Sequence, residues 1–364
     1  MKNFTIMIKP ASSLCNMQCT YCFYADVAAA RAHQSLGIMS PEVATAIIQN
    51  VAVSLTKGDQ LTFSFQGGEP MLAGLEFFTF FVSQVKAIIP PTIRVHYAMQ
   101  TNGTLVTDEW CELFKAHGFL LGVSIDGDAA LHNQNRTDTQ GKGSFNRVMK
   151  AKRLFDVHKI TYNVLCVLNG ENARYPRRIW EFFIREKIAY IQFIPCLEPL
   201  ASSEKATFAL TGDKFYTFYA SIFSLWKKGL QSNQLIKVQL FEDLAALHLY
   251  GHPVTCGLSK GCSPQIILEA DGSAYPCDFY VLDAFKVGNL ATQTLEEVFK
   301  AVLSSPFYAH EKAIPAHCHA CAHYPWCQGG CKRMSKAVYS EGCGMRMFLD
   351  AHLQTLLQVY RQFI

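Results

Sequence analysis

The chain has 364 residues, 50% hydrophobic and 17% charged, which is ample material for buried cores and too little charge for intrinsic disorder. Basic and acidic residues number 33 and 29, and the resulting charge of +4 is spread without any Lys/Arg cluster, arguing against a nucleic-acid grip. The most apolar stretch, residues 77–90, is broken by Ser83, Gln84 and Lys86 and falls short of the roughly 18 apolar residues of a membrane span.

The run FTIMI at 4–8 predicts a first strand and is too short for the apolar core of a signal peptide. The fourteen cysteines are therefore expected in a reducing cytoplasm, where metal binding is the better reading than a disulfide scaffold. Apolar or alternating runs at 61–66, 94–100, 120–126, 161–168 and 190–194 predict further strands. Helical patterns fall between them. Ser40-Pro41-Glu42 supplies an N-cap, a first-turn proline and an acid at the positive helix end, ahead of Val43, Ile47 and Val51 on one face. Residues 75–89, 107–117, 145–157 and 177–186 read as helices as well.

Six strand–helix units in a row imply an α/β fold with a parallel sheet and right-handed crossovers. A partial (β/α)6 barrel of the TIM type fits, and periodicity alone also allows a doubly wound open sheet. Two linker helices are predicted at 213–228 and 240–249, then a hairpin over 266–287 around Asp271-Gly272, and a closing helix at 345–364. This divides the chain into a barrel over 1–235 and a cysteine-rich domain over 236–364.

Cys15, Cys19 and Cys22 form C-x3-C-x2-C in the loop after the first strand. Three thiolates hold three irons of a four-iron cubane and leave the fourth open. A structural zinc is the alternative, but it takes four ligands, and His33 is the nearest further candidate. Gly67-Gly68 ends the second strand, where missing side chains permit close backbone approach to a ligand. Alone, the pair reads as an ordinary turn. Polar residues also close later strands, at Gln100-Thr101-Asn102-Gly103, Ser124-Ile125-Asp126-Gly127 and Gln192. In a parallel barrel these ends share the face that builds active sites.

Eight more cysteines follow as Cys256-x5-Cys262-x14-Cys277 and Cys318-x2-Cys321-x5-Cys327-x3-Cys331-x11-Cys343. They complete two four-thiolate sites, and their spacing suits zinc ribbons and iron–sulfur clusters equally. Cys111, Cys166 and Cys196 remain as small apolar residues of the barrel.

The first triplet, with Tyr21 before its last cysteine, resembles the radical S-adenosylmethionine (SAM) signature, and Gln66-Gly67-Gly68-Glu69-Pro70 resembles that superfamily's GGE motif. The C-x2-C-x5-C-x3-C run behind a cysteine-bearing hairpin is similar to the SPASM domain. Together with QTNGTL, SIDG, LHNQNR, QFIPCLEPL and YPCDFYVLD, these motifs resemble the anaerobic sulfatase-maturating enzymes from the first strand to the last cysteine.

That resemblance implies SAM and three [4Fe–4S] clusters as cofactors. The first cluster falls to Cys15, Cys19 and Cys22. One auxiliary cluster falls to Cys256, Cys262, Cys277 and Cys331, the other to Cys318, Cys321, Cys327 and Cys343. SAM contacts fall to Tyr21, Gly68, Ser124, Arg136 and Leu197, while Gln66 and Gln100 face the substrate. The implied reaction oxidises a Cys or Ser of a sulfatase to Cα-formylglycine through Cβ hydrogen abstraction by a 5′-deoxyadenosyl radical. Asp278, in the C-D-F-Y run, is the implied general base, next to an electron-accepting cluster on Cys277. Flavodoxin or ferredoxin is the expected electron donor, a sulfatase or peptide the partner, and a monomer the working form. The spacer between Cys331 and Cys343 is shorter than the family's, which bears on the partner surface more than on the reaction.

The alternative is a SPASM-type maturase that installs a crosslink in a ribosomally made peptide. A first strand at about Phe4 leaves no room for the leader-recognition domain many of these carry. The non-enzymatic alternative is a zinc-binding adaptor, which leaves the polar strand ends unexplained.

Overall fold

The computed structural model describes residues 2–200, 208–232, 234–253, 255–258, 262–309, 314–340 and 342–363. Its strands are β1 (Asn3–Ile8), β2 (Gln60–Phe65), β3 (Arg94–Thr101), β4 (Leu120–Ser124), β5 (Tyr162–Leu168), β6 (Tyr190–Pro195), β7 (Lys237–Val238), β8 (Ile266–Leu268), β9 (Ser273–Tyr275) and β10 (Gly288–Asn289). The chain forms two compact units, each discontinuous in sequence. One comprises Met1–Ser124, Arg136–Tyr162 and Pro264–His310, the other Ile125–Asn135, Asn163–Ser263 and Glu311–Ile364.

In the first unit the strand order is β10-β9-β8-β1-β2-β3-β4. β8 through β4 run parallel, with Ile8 opposite Phe65 and Phe65 opposite Met99. The period-2 alternation of a strand buries Leu61, Phe63 and Phe65 on one face of β2. Against that face lies the helix Leu75–Ile88, which buries Phe77, Phe78, Phe81, Val82 and Val85. Its rings meet the sheet edge to face, Phe65–Phe78 at 4.9 Å and Phe63–Phe81 at 5.1 Å between centroids, a favoured aromatic geometry. The helix Pro41–Ala52 starts as the sequence predicts, with the Ser40 hydroxyl accepting from the Val43 amide at 3.3 Å.

The predicted hairpin forms at Asp271-Gly272. Gly272 sits at φ +82°, and a Cβ there would lie 2.7 Å from Asn289 Oδ1, so no other residue fits the turn unstrained. The hairpin does more than fold on itself. β8 joins the parallel sheet beside β1, with Ile6 opposite Ile266 and Ile8 opposite Leu268. That pairing connects residues about 260 positions apart, far outside any periodicity window.

In the second unit β5, β6 and β7 are parallel neighbours in that order. Three helices, Gly212–Gln231, Gln239–Tyr250 and Gly344–Phe363, contribute its aromatic core. Phe193 meets Phe218 at 4.9 Å, Phe223 meets Phe241 at 5.5 Å, and Phe241 stacks on Phe348 at 5.8 Å. No helix among the described residues is long and apolar enough to cross a membrane.

Candidate active site

Parallel strands bring their C-terminal ends to one edge, and in the first unit that edge carries the loop of residues 9–22. The two glycines after β2 seat this loop. The Gly68 amide donates to Ser12 O at 2.9 Å and the Glu69 amide to Leu14 O at 2.8 Å. A Cβ on Gly68 would stand 2.0 Å from Leu14 O, and one on Gly67, at φ +120°, would stand 2.7 Å from Ser12 O. The sequence reading assigned this close approach to a bound ligand. In the structure the same close approach also lays the cysteine loop against the strand end.

Within that loop the sulfurs accept backbone hydrogen bonds, Cys15 Sγ from the Met17 amide and Cys22 Sγ from the Ala25 amide, both at 3.4 Å. Cys22 caps the helix Phe23–Ala29. Burial pushes the Cys15 thiol up to about 12, and the nearby charges of Glu69, Cys19 and Cys22 add to the rise. Arg136, itself buried, reaches Cys19 Sγ with Nη1 at 4.0 Å, its guanidinium carbon 5.5 Å from the Tyr21 ring centroid. Tyr21, Arg136 and the triplet are thus one cluster. At the next strand ends Gln100 Nε2 donates to Ser124 Oγ at 3.1 Å. A donor set of three clustered thiols with amide hydrogen bonds suits an iron–sulfur cluster.

Glu69 is fully enclosed, yet three groups donate to it: the Asn102 amide at 2.7 Å, Thr101 Oγ1 at 2.8 Å and the Met71 amide at 3.2 Å. It therefore ties the end of β2 to that of β3. Burial outweighs these donors and pushes its carboxyl from 4.5 up to about 7. Between those values the native chain holds a proton that the unfolded chain has released, so stability falls as pH rises through the window and levels off above it. Denaturation of the iron-free reduced chain at about pH 5 and about pH 8 checks this: the native chain should lose about 2.5 kcal/mol more than Glu69→Gln across the interval.

Asp278 opens a short turn, Asp278–Tyr280, directly after Cys277. Phe279 packs edge-on against Phe23 at 5.0 Å, which fastens this turn to the helix that Cys22 caps. Oδ1 of Asp278 accepts from Lys9 Nζ at 2.5 Å. The sequence reading passed over Lys9, and also over the buried Tyr24, Arg31 and Glu269 behind it. Tyr24 Oη donates to Glu269 Oε1, which also accepts from Arg31 Nη1 at 2.6 Å.

The second unit holds the other predicted residues. Cys318, Cys321, Cys327 and Cys343 line a single small pocket, together with His317, Tyr339 and Arg346. Four sulfurs around one cavity suit one cluster. Burial raises the Cys331 thiol, and the charges of Cys256 and Cys262 raise it further, so those three thiols are also neighbours. Cys277 belongs to the first unit. Leu197 is buried just after β6. Cys111, Cys166 and Cys196 are buried, in a helix, in β5 and after β6.

Residues 10–183 match the Radical SAM superfamily, and residues 259–322 match the iron-sulfur cluster-binding domain SPASM. A cysteine-type anaerobic sulfatase-maturating enzyme of Clostridium novyi (strain NT) is 35% identical over 96% of this chain and 94% of its own. The chain belongs to the anaerobic sulfatase-maturating enzymes. A serine-type member from Bacteroides thetaiotaomicron is 30% identical over 91% of this chain and 83% of its own. The solved structure of native anSMEcpe with bound AdoMet covers 98% of this chain and 99% of its own at 32% identity, with a TM-score of 0.90. This sulfatase-maturating enzyme therefore has the radical SAM α/β fold with a SPASM domain. The radical SAM match takes in the cysteine triplet, Tyr21, Gly68, Ser124 and Arg136. The SPASM match takes in Cys262, Cys277, Cys318 and Cys321, and Cys327, Cys331 and Cys343 lie beyond it.

Proposed function

We propose that this maturase oxidises a cysteine or serine side chain of a sulfatase to Cα-formylglycine. The observation that carries the reading is the Asp278 carboxylate, next to Cys277 and held by Lys9 at the strand end from which the cysteine triplet springs. When bound, SAM and three [4Fe–4S] clusters supply the electron that cleaves SAM, the 5′-deoxyadenosyl radical that takes hydrogen from Cβ, and the acceptor for a second electron. Cys15, Cys19 and Cys22 would hold the first cluster. Cys256, Cys262, Cys277 and Cys331 would hold the second, and Cys318, Cys321, Cys327 and Cys343 the third. Tyr21, Gly68, Ser124, Arg136 and Leu197 would bind SAM, with Gln66 and Gln100 toward the peptide.

Converting CH2–XH to CH=X removes one hydrogen atom, one proton and one electron. Asp278 takes the proton from the thiol or hydroxyl as general base. For a cysteine the thioaldehyde then exchanges sulfur for the oxygen of water, releasing hydrogen sulfide. The higher identity to the cysteine-type relative, 35% against 30% for the serine-type one, favours cysteine as the target. We read residues 1–235 as the catalytic barrel and 236–364 as the cluster-bearing domain. Reduced flavodoxin or ferredoxin is the electron source, and the enzyme works as a monomer in an oxygen-poor cytoplasm.

The test is incubation of the reduced holoenzyme and SAM with a peptide containing C-x-P-x-R and with its serine counterpart. The expected product carries an aldehyde that hydroxylamine traps, formed faster from the cysteine peptide. Hydrogen abstraction that yields a crosslink and no aldehyde would overturn the reading in favour of a peptide-crosslinking maturase.

A further inference from the structure

The least expected group near the proposed base is Lys9. It directly follows β1, and its backbone amide donates to Leu268 O at 2.8 Å, fixing its stem between β1 and β8. Gly67 covers that stem so closely that a Cβ there would come within 3.1 Å of Lys9 Cβ. The side chain is 1% exposed. A buried ammonium is costly unless paired, and this one has two partners. Its Nζ lies 2.5 Å from Asp278 Oδ1 and 3.9 Å from the centroid of the Tyr24 ring, a cation–π contact. The ring is held in turn, because Tyr24 Oη donates to Glu269, a carboxylate anchored by Arg31.

Asp278 is bound on one side only. Among the described residues Oδ1 has the Lys9 ammonium and Oδ2 has no hydrogen-bond partner. The carboxylate is 14% exposed, so it is accessible while its ammonium partner is not. A short surface turn such as Asp278–Tyr280 does not by itself fix the direction of a carboxylate, and a buried, doubly anchored cation does.

We propose that Lys9 is the positioning residue for Asp278: its ammonium clamps Oδ1 and presents Oδ2 to the proton that leaves the substrate. The inference rests on the reading of Asp278 as general base. The Tyr24–Glu269–Arg31 chain serves as the mount that keeps the ammonium in place.

The experiment compares Lys9→Met, Lys9→Arg, Asp278→Asn and the Lys9→Met/Asp278→Asn double variant in reconstituted holoenzyme with SAM and the C-x-P-x-R peptide. Iron content, melting temperature, 5′-deoxyadenosine formation and aldehyde formation are read for each. Lys9→Met should lower kcat for aldehyde on the order of 10²-fold with the peptide KM unchanged, so that 5′-deoxyadenosine accumulates without product. Lys9→Arg keeps the charge and the donors and should retain kcat within about tenfold. The double variant should be no slower than Asp278→Asn, because both changes disable one device. Lys9→Met turning over within about threefold of the native enzyme overturns the proposal. So does a double variant whose losses multiply. If Lys9→Met does not fold, Lys9→Arg decides: a variant with native iron and SAM cleavage but the aldehyde rate of Asp278→Asn overturns it. Unimpaired Asp278→Asn would instead remove the general-base reading, a result distinct from failure at Lys9.

Discussion

Replacing Cys15, Cys19 and Cys22 together by alanine is expected to abolish SAM cleavage and to lower iron from about twelve to about eight atoms per chain. The three sulfurs occupy a single loop, and the electron that cleaves SAM has no other entry in the proposed reaction. The rest of the iron should persist. Cys318, Cys321, Cys327 and Cys343 line their own cavity in the other compact unit, with none of the triplet among the lining residues. The loop itself should stay seated, because the Gly68 and Glu69 amides on the Ser12 and Leu14 carbonyls do not depend on its thiols. Iron analysis and chromatography of 5′-deoxyadenosine on anaerobically purified protein check both halves. Cleavage that persists would show that the triplet does not hold the SAM-cleaving cluster.

Asp278→Asn should depress aldehyde formation on the order of 10²- to 10⁴-fold while 5′-deoxyadenosine is still released. Asparagine has the shape of aspartate and cannot accept the proton, so hydrogen abstraction runs ahead of a blocked deprotonation. The exchange also leaves the Lys9 ammonium, 1% exposed, without its anion, which costs about 3 kcal/mol. The comparison is therefore made well below the melting temperature of the variant, with iron content matched to the native enzyme. A variant that makes aldehyde at the native rate would remove Asp278 from the chemistry.

Strands β1 to β6 were readable because they repeat apolar residues at every second position over strand length, as Leu61, Phe63 and Phe65 do. Three kinds of feature escaped. β7, Lys237–Val238, is too short to show a period. The helix Phe23–Ala29 has no recognised start signal, because the sulfur of Cys22 does the work usually done by a serine or aspartate oxygen. The helix Leu295–Leu303 did announce itself, through the Thr294–Glu297 capping box, and that sign went unread. The site divides the same way. Cys15, Cys19, Cys22 and the glycine pair stand out by spacing and type. Lys9 carries no local signal, and its partner lies 269 positions away, which no local pattern encodes. The glycines were visible, but one of their uses was not: the carbonyls they accommodate belong to a loop that precedes them by more than fifty residues.

The seating of β8 beside β1 has a consequence for how the enzyme is made. A nascent chain leaves the ribosome at about 5–20 residues per second, so the outer edge of its first strand waits tens of seconds for residues 266–268 to emerge. During that wait an unpaired hydrogen-bonding edge is open to foreign strands, and the ammonium beside it has no anion yet synthesised to meet it. Assembly of the metal sites in the cell therefore has a natural clock: the amino-terminal third reaches its final form only after the carboxyl-terminal third has begun to fold.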